Sequence, residues 1–393
     1  MPDSPPFSMP PDIKGMRILA FADWYTPEAS GGAERAAWEV YRRLGAAGAH
    51  VLVVSAAHGV PHDDPGVVVR AIKGFDLSRL AGGYLAPAPS AFPTARRLSK
   101  DFKPDVLHAN TLHYTGCIAA AWVAKRHELP LVATAQLGPL DHLPASTRRM
   151  ADLYERVFGR YILRRASHVL AVSEPARKHV VSLGARADAV THSPNGVDHE
   201  RFGMPPIEGN ESPLIISVGR LLVNKGSILL VEAAGMLARS ESSFRIVFVG
   251  DGPLRSQLEA RVEELGIRDR VQFVGHVRDP EGWLSQAEVV VRASYTEGLS
   301  LAVIEAMAAG RCNIVSDIPA NKELIEDGRN GLLFSCGDAA DLARALGDAI
   351  RDPELRQRTA RQAQKDSKQY TWERMASLHA EAFLDAASAR SRR

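Results

Sequence analysis

Short apolar runs alternate with helix-period stretches along this chain, and the whole alternation occurs twice. In the first half, "MRILAFA" (16–22), "HVLVVSA" (50–56), "DVLHA" (105–109), "PLVATA" (130–135) and "SHVLAVS" (167–173) are too short for buried helices. "RADAVTHSPNGVD" closes this half with a further strand and a turn. Helical patterns such as "AERAAWEVYRRLGAAG" lie between the runs. Strands in this order imply a parallel sheet covered by helices on both faces. A proline-bearing stretch without periodicity follows, which places a linker near residues 198–212. The grammar then restarts with "PLIISVG", "FRIVFVG", "RVQFVG", "EVVVRAS", "CNIVSD" and "GLLFS". The expected fold class is therefore α/β with two doubly wound, Rossmann-like domains, and 393 residues suffice for two. The cleft between such domains, outside the carboxyl ends of the strands, is the default ligand site. The expected segments are a disordered Pro-rich tail (1–15), a first domain (16–200), a second domain (201–368) and a C-terminal helix (369–393).

Composition narrows the class. A net charge of +2 and a pI near 8.4 give no electrostatic case for a nucleic-acid partner. Cys117, Cys312 and Cys336 are widely spaced, with neither a metal-ligand spacing nor a disulfide framework. The first residues, "MPDSPPFSMPPDIKG", contain no apolar leader segment, and no apolar run is long enough to span a membrane. A cytoplasmic location is the expectation.

Several stretches carry chemistry. In "YTEGLSLAVIEAMAAG" (295–310), Glu297 lies in the loop after a strand and Glu305 within the helix pattern that follows. Eight residues would span about 12 Å if wholly helical. The amides of Gly298, Leu299 and Ser300 would sit at the helix N-terminus, where an anion is favoured. The spacing alone favours the plainer reading, an exposed loop acid and a partly exposed helix acid. In "SVGRLLVNKGS" (217–227), Arg220 and Lys225 follow a strand end. A guanidinium fork and an ammonium point charge there suit a diphosphate, as they also suit a solvated loop. Gly31 and Gly32, between the first strand and its helix, permit close backbone approach or mark a simple turn. "FVGDGPLRSQLE" has Arg255 where a dinucleotide fingerprint needs its third glycine, which argues against a nicotinamide cofactor.

The helix pattern over 146–168 joins an apolar stripe (Met150, Leu153, Val157, Tyr161, Ile162) to Arg149, Arg156, Arg160, Arg164 and Arg165. A packed helix with a basic solvent face is the default reading, and weak peripheral contact with an anionic membrane is the second.

Taken in order, the glycines after the first strand, "VGR…NKG", "VGDGPL", "FVGHV" and the Glu-x7-Glu ending in "AMAAG" resemble the retaining glycosyltransferases of family 4, which have the GT-B fold. The resemblance covers nearly all of the chain after residue 15 and is densest over 214–350. It implies two Rossmann-like domains facing across a cleft and transfer of a sugar from a nucleoside-diphosphate donor to an acceptor hydroxyl. By the same resemblance, Arg220 and Lys225 bind the diphosphate, Glu297 the donor sugar and Glu305 the ribose. Gly31 and Gly32 face the reaction centre, the backbone around His276 and Val277 reads the base, and the C-terminal helix crosses back to the first domain.

One position departs from the family pattern. After "PLVATA" the family usually carries a histidine, and this chain has Gln136, with His142 nearby. Glutamine can hydrogen-bond a sugar hydroxyl but cannot carry a proton. His108 and His113, in "LHANTLH", are weaker site candidates, with structural loop roles favoured. There is no Asp-x-Asp motif, so no metal and no cofactor are expected. A UDP- or GDP-sugar is the expected donor; a glycan, a lipid-linked sugar and a small metabolite all fit as acceptor. A nucleotide-sugar epimerase of the same fold and a non-catalytic nucleotide-sugar-binding subunit are the alternatives.

Overall fold

The structure, a computed structural model, describes residues 8–22, 25, 31–56, 64–74, 87–136, 138, 145–205, 207, 212–240 and 243–391. The chain forms two compact units, one of Met1–Gly196 with Trp372–Arg393 and the other of Val197–Thr371.

The first unit holds an all-parallel sheet of β1 (Arg17–Phe21), β2 (His50–Ser55), β3 (Val67–Ala71), β4 (Val106–Ala109), β5 (Leu131–Ala135), β6 (His168–Ala171) and β7 (Val190–His192). Its order is β3-β2-β1-β4-β5-β6-β7, with every adjacent pair parallel. Strand order reverses between β1 and β4, which makes that crevice the switch point. Side chains alternate across the sheet. Leu19, Leu107, Leu131 and Ala133 pack into one apolar cluster with the helices Ala91–Asp101 and Thr115–His127. The intervening His108 and Thr134 meet the helices Gly32–Ala46 and Trp372–Ser391 on the opposite face.

The sequence reading passes over β3. It is an edge strand paired only to β2, with Val67 buried and Val68 exposed, so it lacks the two-sided burial that marks its neighbours. Of the stretch expected to be a disordered tail, residues 1–7 lie outside the described residues. Pro11–Ile13 form one tight helical turn whose Ile13 is 1% exposed, so this part of the expected tail is ordered.

The second unit has β8 (Leu214–Val218), β9 (Arg245–Val249), β10 (Val271–Gly275), β11 (Val289–Arg292), β12 (Cys312–Ser316) and β13 (Leu332–Phe334). All six match the apolar runs read from the sequence. The order is β10-β9-β8-β11-β12-β13, again wholly parallel, and it reverses between β8 and β11. Ile215, Phe248, Val289, Val291 and Ile314 form the core beneath the helices Ser227–Leu237 and Ala339–Arg351.

The unit boundaries fall at 196/197 and 371/372 rather than at 200/201 and 368/369. The Val197 amide donates to the Tyr370 carbonyl (3.2 Å), and Val197 bridges to Thr371, so both strand ends are stitched into the second unit. Helix Trp372–Ser391 packs on the first unit: Arg43 pairs with Glu373 (2.7 Å) beside the His379–Thr134 contact.

Candidate functional site

The switch point of the second sheet lies between β8 and β11, and both strands deliver charged residues from their carboxyl ends. Leaving β8, the chain passes Gly219 (φ +137°), Arg220 and the tight turn Val223–Lys225. Gly226 follows in the left-handed region (φ +63°), where a Cβ would lie 1.9 Å from the Ala293 carbonyl oxygen. Only glycine lets this turn press against the loop after β11. The Tyr295 amide then donates to the Asn224 carbonyl (2.9 Å), tying the two loops together.

This juxtaposition brings Lys225 to Glu297. The ammonium spans both carboxylate oxygens, at 2.9 Å to Oε1 and 2.8 Å to Oε2. Arg292 Nε donates to Oε1 (2.9 Å), and Ser294 Oγ donates to the same oxygen (2.7 Å). Arg292 Nη1 also donates to the Val218 carbonyl at the end of β8 (2.8 Å), so one guanidinium braces both strands. Glu297 is 9% exposed. Burial pushes its pKa up, but Lys225 and Arg292 outweigh that and hold it down at about 2. Burial lowers the Lys225 pKa; Glu297 opposes the shift, and Arg292 and Arg220 reinforce it. The direction we assign is an ionised carboxylate shared by two cations, because three donors converge on it.

The helix expected after Glu297 begins only at Leu301 and runs to Ala308, with Ser300 at its N-cap. Gly298, Leu299 and Ser300 thus form a non-helical loop, and the twelve-ångström helical spacing does not apply. Leu299 and Ser300 are buried, and Ser300 Oγ has no partner among the described residues. Glu305 is half-buried on this helix, in the electrostatic field of Arg201. Arg201 in turn binds Glu281 (2.8 Å) and Asp279 (2.7 Å).

His276 and Val277 follow β10, two strands from β8, which is about 10 Å away at ordinary strand spacing. They share the carboxyl edge of the sheet without joining the Lys225–Glu297 cluster. Arg292 and Ser294 are the members that sequence reasoning missed. Arg292 reads as the polar end of an apolar strand, and only the register beside β8 shows what it holds.

The remaining candidates lie in the first unit. Gly31 caps helix Gly32–Ala46 at that sheet's switch point. A Cβ on Gly31 would meet Glu34 Oε2 at 2.0 Å, and Tyr114 donates to the other oxygen of this buried carboxylate (3.0 Å). Gln136 stands at the end of β5, buried, with Nε2 unpartnered among the described residues. His142 lies outside the described residues. His113 binds Glu155 (2.9 Å), and His108 bonds Tyr41 and Thr134 in the core.

Residues 206–366 match the description "Glycosyl transferases group 1" and residues 30–201 match "Glycosyltransferase Family 4". The chain belongs to the family 4 type of glycosyltransferase. The D-inositol 3-phosphate glycosyltransferase of Xylanimonas cellulosilytica is 27% identical over 93% of this glycosyltransferase and 94% of its own length. The alpha-D-kanosaminyltransferase of Streptomyces kanamyceticus is 30% identical over 55% of this chain and 59% of its own. Four curated relatives are matched over only 44% to 66% of their length. Anabaena Alr3699/HepE, solved in complex with UDP-glucose, superposes with a TM-score of 0.74 and 22% identity, over 94% of this glycosyltransferase and 99% of that chain. The fold is GT-B.

Proposed function

We propose that this glycosyltransferase moves a sugar from a nucleoside-diphosphate donor to an acceptor hydroxyl with retention at the anomeric carbon. The observation that carries the reading is the Lys225–Glu297–Arg292 cluster at the β8/β11 switch point, where two cations share one buried carboxylate and leave a positive excess. Such an excess, fixed before the reaction, stabilises charge that grows on a departing diphosphate. Arg220 and Lys225 would hold the phosphates, with the amides of Gly298, Leu299 and Ser300 beside them. Glu297 would turn its remaining acceptor capacity to the donor-sugar hydroxyls, and Glu305 would take the ribose. The backbone at His276 and Val277 would meet the base, at the strand edge remote from the phosphates. Gly31, Gly32 and Gln136, which the resemblance links to the donor sugar, belong to the first unit.

In the proposed step the bond from the anomeric carbon to the phosphate oxygen breaks. The acceptor oxygen bonds to the same face, and its proton passes to the departing phosphate oxygen. Lys225 and Arg220 supply the countercharge, so no divalent metal is needed. The nucleotide and UDP-glucose complexes of HepE support a uridine diphosphate sugar as the first donor to try. The acceptor is proposed only as a hydroxyl compound.

The test is a thermal-shift panel of UDP, GDP, ADP, CDP and dTDP, with and without EDTA, on the wild type and on Lys225→Ala. One nucleotide should stabilise the wild type selectively, by about 2.7 kcal/mol at a hundredfold excess over its dissociation constant, and EDTA should change nothing. Lys225→Ala should lose that shift. If no nucleotide acts, or the variant responds like the wild type, the diphosphate assignment is wrong.

A further inference from the structure

We infer that the stretch from Ala145 to Arg165 in the first unit is a docking surface for an anionic lipid bilayer. Leu153, Val157 and Phe158 are 64%, 52% and 39% exposed, three of the six large apolar residues that stand out in solvent among the described residues. The helix runs from Ala145 to Tyr154, passes through a wider π-helical turn at Glu155–Gly159 and resumes at Arg160–Leu163. In the wide turn, Arg156, Val157 and Phe158 are all exposed in succession.

Cations complete this face. Arg149, Arg156, Arg160, Arg164 and Arg165 are exposed around the apolar trio, and none makes an ion pair among the described residues. Among the described residues from Arg149 to Arg165, the exposed positions hold only arginine and apolar side chains. The carboxylate of the turn points the other way. Glu155 is 2% exposed and lies between His113 Nε2 (2.9 Å) and His179 Nε2 (2.8 Å), which clamps the stretch to the body of the unit. A ring contact, Tyr154 to Phe158 at 4.9 Å, fixes the outer aromatic.

Charge complementarity and apolar content together select the occupant. Arginines attract the phosphates of anionic lipids, and the trio can enter the boundary between headgroups and acyl chains. A soluble polyanion would satisfy the arginines and leave the trio in water. Among the described residues no helix is long and apolar enough to cross a membrane, so the contact is peripheral. The inference does not depend on the donor-site reading, and its readout requires no turnover.

The experiment is co-sedimentation of the full chain with vesicles of equal parts phosphatidylglycerol and phosphatidylcholine, at low and high salt. Pure phosphatidylcholine vesicles and soluble polyphosphate serve as comparisons. The wild type should pellet with the anionic vesicles at low salt and bind pure phosphatidylcholine far more weakly. Arg156→Gln with Arg160→Gln should weaken partitioning roughly twenty-five-fold, from a factor of roughly five for each arginine. Leu153→Ser with Val157→Ser should weaken it roughly tenfold at unchanged charge. All four positions are exposed, so melting temperatures should stay at the wild-type value and verify folding. The inference is overturned if the wild type stays in the supernatant. It is equally overturned if the apolar pair can be replaced without effect, or if polyphosphate binds as well as the anionic vesicles; the face then serves a polyanion.

Discussion

Glu297 is the residue on which Lys225, Arg292 and Ser294 converge. Removing its charge by Glu297→Gln leaves Lys225 and Arg292 buried against each other with no anion between them. Breaking a buried pair in this way costs about 3 kcal/mol. Urea denaturation should show that loss, and a nucleoside diphosphate, by resupplying negative charge, should recover part of it. The pH dependence has a definite sign. A carboxylate held at about 2 contributes stability that is complete above its ordinary value of 4.5 and is lost as pH falls through 2. Mild acid should therefore leave this cluster intact. Gly226 is the second sensitive residue. Gly226→Ala adds both a left-handed backbone penalty and a clash with the Ala293 carbonyl. It should lower stability by about 2 kcal/mol or more and abolish the nucleotide-induced melting shift, because the turn carrying Lys225 must move. A wild-type shift in that variant would show that the turn does not form the phosphate site.

Among the elements, the C-terminal helix Trp372–Ser391 is held by a chain of hydrogen bonds with one consistent direction. His379 Nδ1 donates to the Met375 carbonyl (2.8 Å), which leaves Nε2 to accept from the Thr134 hydroxyl (3.2 Å). The Thr134 oxygen then accepts from His108 Nε2 (2.8 Å), and His108 Nδ1 accepts from the Tyr41 hydroxyl (2.7 Å). Both imidazoles must be neutral for this chain to close. Burial is the leading cause of their lowered pKa values, and His379 falls to about 4. An unfolded histidine takes up its proton near 6.5, so stability is full above that pH and declines as pH falls from 6.5 toward 4. For His379 alone the decline is roughly 3 kcal/mol over that range. Denaturant midpoints at pH 7 and pH 5 should show it, in a pH window well above the one in which Glu297 titrates. Thr134→Val would strand a donor on one histidine and an acceptor on the other, for a loss of about 2 kcal/mol at pH 7. A midpoint that does not move in Thr134→Val would mean that the chain is not formed in solution.

At the scale of the whole molecule, the second unit enters and leaves at neighbouring points, Val197 and Thr371. A fragment of Val197–Thr371 has its own core and sheet and should fold alone, with a cooperative urea transition. It should also retain nucleoside diphosphate binding, since Arg220, Lys225, Glu297 and Glu305 all lie within it. Removing Trp372–Arg393 from the full chain should instead damage the first unit, because Trp372, Met375, Ala376, His379 and Phe383 are buried there. Increased binding of a hydrophobic dye, with the second unit's unfolding transition unchanged, is the expected result.

The sequence by itself determined the two parallel sheets and the position of the charged loops. Fully buried strands of a parallel sheet are continuous apolar runs, and the loops at their carboxyl ends are therefore visible as the polar residues that follow, here Arg220, Lys225 and Glu297. Edge strand β3 escaped because only one of its sides is covered. Strand order, and with it the β8/β11 switch point, depends on pairing between segments far apart in the chain, which leaves no local trace. The same holds for Arg292 across from Val218, and for Thr134 between His108 and His379. Their partners are more than seventy residues away in the first case and lie in the C-terminal helix in the second. Only tertiary structure could decide that an arginine ending one strand braces its neighbour, and that a histidine read as a loop residue belongs to the core.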